Sequence, residues 1–259
     1  MQRSETPLLV DGLGRSYERT RALSALSFQV HAGEILGLVG PNGAGKTTAL
    51  RSIAGVLPIQ EGRVLVSGFD VAHEEVQAKR NLAWVPDDPQ PFDALTVEEH
   101  LEFTAALFGL SGWEVRGDEL LARFELAGKR AALGGELSRG MRQKLACACA
   151  WLVNPRLLLL DEPLAGLDPR GIRSAREAIR ELSLAGTAVL LSSHQLELIE
   201  ALADRILILD RGRRLFLGTL EQARAELLGV GGSSLEEIFL AATGDEPAAR
   251  GQLPPAESA

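Results

Sequence analysis

The chain has 259 residues, 46% of them hydrophobic, a formal net charge of −8 and a pI near 5.2. That length holds one large α/β domain, or a core with a small subdomain. The acidic balance excludes a dedicated nucleic-acid binder, and no run approaches the roughly 18 uninterrupted apolar residues of a membrane-spanning helix. The N-terminus, MQRSETPLLV, lacks the apolar core of a signal peptide. Cys147 and Cys149 sit two apart on a helix and so face different ways; they read as small buried thiols.

In chain order, Leu8 to Leu13 and Leu26 to Val30 read as short strands separated by a polar turn from Ser16 to Arg21. Glu34 to Val39 reads as a buried strand, and Lys46 to Ala54 as a helix stopped by Gly55 and Pro58. Between them stands Gly40-Pro41-Asn42-Gly43-Ala44-Gly45-Lys46-Thr47-Thr48, which fits G-x-x-x-x-G-K-[ST]. The glycines let the backbone curl so that successive N–H groups face one anion. The following helix N-terminus favours a phosphate, Lys46 adds a positive charge, and Thr47 offers a hydroxyl to Mg²⁺. Only four lysines occur in the chain, and one stands at the required position.

Gly62 to Gly68 and Asn81 to Val85 are further strands, the second ended by the proline-rich run Pro86 to Pro91. Thr96-Val97-Glu98-Glu99 is a capping box that opens a helix to Phe108, closed by Gly109. Residues 118–127 read as a second helix, and Ser138 caps a third that runs to about Val153. Residues 92–153 thus read as an inserted helical subdomain. Leu157 to Leu160 is a buried strand ending in Asp161-Glu162. Carboxylates at that end of a doubly wound sheet suit Mg²⁺ binding for Asp161, and either acceptance of a proton from an attacking water or orientation of that water for Glu162. Asp168-Pro169 starts a helix to Leu184. Thr187 to Ser192, Arg205 to Leu209 and Arg213 to Leu217 are strands. Short helices near 219–228 and 234–243 follow, and residues 245–259 read as disordered. His31, His73 and His100 have no chemical context and read as surface residues.

Three more segments narrow the class: Leu137-Ser138-Arg139-Gly140-Met141, Leu164-Ala165-Gly166-Leu167-Asp168-Pro169, and Ser192-Ser193-His194. With the P-loop and the acidic strand, this set resembles the ATP-binding cassette (ABC) ATPases from residue 8 to about 243. The resemblance implies an α/β fold. Its P-loop NTPase core would have a mixed, largely parallel sheet (8–85 and 154–218), with an N-terminal antiparallel β part. A helical subdomain (92–153), C-terminal helices (219–243) and a tail (244–259) would complete it. Tyr17 matches the aromatic that stacks on adenine. Gly40 to Thr48 is the Walker A loop, and Asp161 with Glu162 completes Walker B. Ser138 and Gly140 fall in the signature, Asp168 is the D-loop acid, and His194 is the switch histidine that contacts the γ-phosphate. In this family the signature helix faces the P-loop of a second subunit, so ATP is sandwiched between two chains.

Two departures from the family pattern carry information. Arg139 and Met141 replace the first Gly and the Gln of LSGGQ. Asp87 stands where the loop before the helices usually carries a glutamine, and it is expected to sense Mg²⁺ and couple the nucleotide to those helices. With the ending from Gly218 to Phe239, these features resemble the ATPase subunits of bacterial drug, sodium and antibiotic exporters. The implied assembly is two such chains, most simply a homodimer, or this chain with a close relative, beneath a separate integral-membrane permease at the cytoplasmic face of the inner membrane, with ATP and Mg²⁺ as cofactors and no nucleic acid. An importer ATPase, or a non-transporting cassette acting as an ATP-gated regulator, stays open at this point.

Overall fold

In the computed structural model, residues 6–227 and 234–243 are described. Strands β1 (Leu8–Tyr17) and β2 (Thr20–Val30) form a hairpin that pairs through β1 with β4 (Glu61–Val66) and then β5 (Phe69–Asp70). This four-stranded sheet is antiparallel. A second, six-stranded sheet runs in the order β10 (Arg213–Gly218), β9 (Arg205–Asp210), β3 (Ile35–Val39), β8 (Ala188–Ser192), β7 (Leu157–Asp161) and β6 (Leu82–Val85). Its pairings are parallel except for the β9–β10 hairpin, so the sheet is mixed.

Both faces of the larger sheet are covered, which is why β3, β7 and β8 read as continuous apolar runs. Leu36, Leu38, Leu157 and Leu159 face one core, shared with the antiparallel sheet and helix α1 (Lys46–Ile53). Ile35, Val39, Leu158 and Leu160 face the other. That second core is filled by α3 (Val97–Phe108), α4 (Glu114–Arg123), α5 (Arg139–Val153), α6 (Pro169–Leu184) and α7 (Leu196–Leu202). Residues from α8 (Leu220–Leu227) and α9 (Leu235–Thr243) close it.

Several helix ends follow local chemistry. Thr96 accepts from the Glu99 N–H, while Glu99 accepts from the Thr96 N–H, the reciprocal box expected there. Ser138 caps α5 through the Met141 N–H at 3.3 Å, and Asp168 caps α6 through the Gly171 N–H at 3.2 Å.

Other elements depart from the sequence expectation. The polar run 16–21 is not a loop: Ser16 pairs with Arg21 and Tyr17 with Thr20, leaving a two-residue turn at Glu18-Arg19. Gln60 and Glu61 hold these polar ends, through Gln60 to the Ser16 backbone and Glu61 to Arg21. Helix α4 begins and ends four residues early. Glu125 turns left-handed (φ 58°), and the Leu126 N–H returns to the Leu121 carbonyl at 2.7 Å, a stop that no Gly or Pro announces. Helix α2 (Glu75–Lys79) and helix α7 were not expected. Ile199 of α7 fits over Gly37, where a Cβ would meet its Cγ2 at 2.5 Å.

His100 is a correction. It is 7% exposed, accepts the Phe92 N–H at Nε2 (3.0 Å) and meets the Thr96 carbonyl at Nδ1 (2.7 Å). With Nε2 accepting, the proton sits on Nδ1. The expected disordered tail, 244–259, lies outside the described residues.

Candidate active site

The loop between β3 and α1 opens at the carboxyl end of the larger sheet, beside the ends of β7 and β8. Gly45 has φ 106°, and a Cβ there would meet the Ala22 carbonyl oxygen at 2.7 Å. Only glycine suits both constraints. No side chain caps α1, so its first N–H groups stay free for an anion.

The Lys46 ammonium donates to the Gly40 carbonyl at 2.6 Å and to the Pro41 carbonyl at 3.2 Å. Burial holds its pKa below the ordinary lysine value, against the pull of Glu162 and Asp161. A phosphate in the loop would oppose that shift by supplying a close anion.

A cavity of about 520 Å³ joins this loop to the acidic strand. Pro41 to Thr48 line one side, and Asp161, Glu162, Ala165 and His194 line another. Asp161 is 2% exposed and accepts from the Ser192 hydroxyl at 2.6 Å. That bond follows from register, because Asp161 and Ser192 are paired across β7 and β8. Glu162 adopts φ 49°, a left-handed conformation that costs a non-glycine residue roughly 1–3 kcal/mol. Its N–H donates to the Ser192 carbonyl at 3.1 Å, which fixes the turn. Ser193 Oγ and His194 Nδ1 reach the Glu162 carboxylate at 3.1 and 2.8 Å.

Asp87 lines the same cavity, and so does Arg139, whose guanidinium lies 3.4 Å from it. Arg139 was visible in the sequence only as a departure from LSGGQ. Ser192 and Ser193 stood in a quoted motif without a role. Their position next to His194 and opposite the acidic strand was the available signal.

Five expected site residues do not line this cavity: Gly40, where a Cβ would run into the Leu209 carbonyl oxygen, and the four that follow. Tyr17 is 42% exposed at the end of β1, with the Arg15 guanidinium 4.8 Å from its ring centroid; Ala22, on the returning strand, lines the cavity instead. Ser138 caps α5, and Gly140 packs where a Cβ would meet the Gly166 carbonyl oxygen at 2.8 Å. Asp168 caps α6 and stands 3.8 Å from Lys144.

A parallel sheet with a glycine loop feeding a helix, facing a strand that ends in two carboxylates, defines a P-loop nucleoside triphosphatase. The comparisons narrow that class. The sequence model of the family described as ABC transporter matches residues 23–165. The chain is 34% identical over 241 residues to the ABC-type transporter ATP-binding protein EcsA of Bacillus subtilis, covering 92% of this chain and 97% of that one. It is 36% identical to the daunorubicin resistance ATP-binding protein DrrA3 of Streptomyces coeruleorubidus, over 91% of this chain and 74% of that one. A solved ATP-binding subunit of an ABC transporter superposes with a TM-score of 0.89 at 35% identity, covering 92% of this chain and all of the other. The chain belongs to the ABC transporter family and is an ATP-binding, ATP-hydrolysing cassette.

Proposed function

We propose that this chain is the peripheral ATPase subunit of a bacterial ABC exporter, bound at the cytoplasmic face of the inner membrane to a separate permease. Supporting the exporter direction is the likeness to a daunorubicin resistance protein, together with Asp87 and the LSRGM signature. Among the described residues no helix is long and apolar enough to cross a membrane, and a separate permease that supplies the path for the substrate fits that.

The Thr47 hydroxyl and the carboxylates of Asp161 and Asp87 line or adjoin one cavity, and hard oxygen donors of this kind fit Mg²⁺. The ion supplies charge neutralisation of the phosphates. Backbone N–H groups from Gly43 to Thr48 and the Lys46 ammonium bind the triphosphate. Glu162 orients the attacking water and takes its proton. His194 holds Glu162 and contacts the terminal phosphate. Tyr17 stacks on adenine through the ring face that Arg15 leaves uncovered. Ser138 and Gly140 meet the nucleotide of a second copy of the chain, and Asp168 crosses the same dimer interface. Closure on ATP and opening after hydrolysis then drive the permease.

Residues 92–153 act as the helical subdomain that receives the permease. A groove of about 210 Å³ lies between the 86–91 loop and α5, lined by Pro86, Pro89, Pro91, His100, Leu145 and Cys149 among others. Phe92 and Phe103 stand exposed beside it in an edge-to-face pair. Exposed aromatic surface next to a preformed groove suits a short helix of the partner.

The observation that carries this reading is the single cavity holding the P-loop, Asp161 and the Glu162–His194 pair. Purification of the Glu162→Gln chain from detergent-solubilised membranes with ATP and Mg²⁺ tests it. A closed ATPase dimer should co-purify with a protein of several apolar helices. Recovery as a membrane-free monomer, while the wild type hydrolyses ATP, would remove the transporter reading.

A further inference from the structure

Ser138 is the extended N-cap of α5 and Arg139 and Gly140 are its first two residues, so the Cβ directions at 139 and 140 lie about 100° apart around the helix. Gly140 is turned onto the Gly166 carbonyl. Arg139 is turned the other way, into the cavity that holds the P-loop of its own chain. There it meets Asp87 at 3.4 Å, with both side chains about half exposed (56% and 51%). So long and wet an ion pair is weak, and its guanidinium is available to a better anion. A phosphate is such an anion, because the planar fork of arginine matches two of its oxygens at once. Asp87 alone would repel a triphosphate, and Arg139 offsets that charge.

We propose that Arg139 is a phosphate-contacting residue supplied in cis. Asp87 holds the guanidinium beside the cavity, and a bound triphosphate takes it over at its terminal phosphate. The inference rests on the reading of this cavity as the ATP site. Its consequence is that a single chain distinguishes ATP from ADP before any second chain arrives. Ser138 and Gly140 do not line this cavity, so the assignment leaves them to serve a partner.

The test is calorimetric titration of ATP and of ADP into the purified chain in EDTA, at a concentration where ultracentrifugation shows monomers. Arg139→Ala should weaken ATP about fivefold to tenfold, the range of one exposed charge-assisted contact, and leave ADP within about twofold. Arg139→Lys should recover part of the loss. Asp87→Asn should tighten metal-free ATP severalfold, by freeing the guanidinium and removing a negative charge. Equal effects of Arg139→Ala on ATP and ADP, or no effect on either, would overturn the assignment. A loss seen only at dimer-forming concentrations would also overturn it, since Arg139 would then act on the partner's nucleotide. Lys46→Ala separates the two levels: if that variant binds ATP as the wild type does, the ATP-site reading itself fails.

Discussion

His194 Nδ1 lies 2.8 Å from Glu162 Oε2, and the neighbouring Ser193 hydroxyl donates to the same oxygen at 3.1 Å. Two consecutive residues just after β8 thus hold one oxygen of the carboxylate that follows β7. Glu162 Oε1 has no protein partner among the described residues and is left for a water. A carboxylate held by one oxygen and open at the other can accept a proton without reorienting, the geometry that the proposed role of Glu162 asks for.

Glu162→Gln keeps the shape and can keep the Ser193 bond, but it removes the proton acceptor. Turnover should fall by at least about 100-fold, while ATP affinity stays near the wild-type value. Phosphate release and equilibrium ATP binding on the same preparation check both halves. Wild-type turnover in this variant would take Glu162 out of the chemistry.

His194 is 64% exposed at its side chain, so His194→Ala should change stability by no more than about 0.5 kcal/mol. Its effect belongs to the reaction: Glu162 loses a partner, and kcat should drop roughly tenfold or more. Urea unfolding beside steady-state kinetics separates the two. A variant that unfolds easily yet keeps its kcat would make His194 structural.

Gly45→Ala and Gly43→Ala form a contrast. Both residues have positive φ, but a Cβ at Gly45 would meet the Ala22 carbonyl at 2.7 Å, whereas at Gly43 nothing lies within 4 Å. Gly43→Ala should cost only the left-handed penalty, about 1–2 kcal/mol. Gly45→Ala adds a backbone clash, typically another 1–3 kcal/mol, and should also displace the phosphate loop. Thermal unfolding and ATP titration should rank them in that order.

Asp168→Ala removes the cap of α6 and one of the two carboxylates near Lys144, which still pairs with Glu125. The loss should be about 1 kcal/mol, read from the urea midpoint of the isolated chain. A deficit in ATP-driven dimerisation beyond that shift would mark a separate interface role.

The thiols should be inert. Burial pushes Cys147 up to about 12 and Cys149 up to about 11, so neither is appreciably ionised at pH 8. Iodoacetamide should label the native chain slowly and the urea-unfolded chain quickly. Rapid native labelling would show that the groove beside Cys149 opens readily.

Much of the site was legible because its signals are local. The Gly40 to Thr48 loop, the Thr96 box and the Asp168-Pro169 start each depend on residues within a few positions of one another. The structure brings Pro41 to Thr48, Asp87, Asp161, Glu162 and His194 around one cavity. What was missed had no local signal. Polar residues from Ser16 to Arg21 stay in the hairpin because Glu61 at the start of β4 and Gln60 just before it bond to them from 40 or more positions away. His100 looked like a surface histidine, yet the Phe92 backbone needs its ring nitrogen. The stop of α4 rests on a left-handed Glu125, which its sequence does not favour.

By itself, the sequence determined that the chain has a phosphate loop, an acidic strand end and the order of elements joining them, because hydrophobic period, glycine geometry and capping act over short spans. Tertiary structure alone decided which of these groups touch. The pairing of β7 with β8 puts Ser192 on Asp161 and brings Glu162 to His194, 32 positions later. The packing of α5 against the 86–91 loop brings Arg139 to Asp87 across 52 positions. Contacts of that kind depend on strand register and helix rotation, which are set by burial over the whole core and leave no mark at either residue.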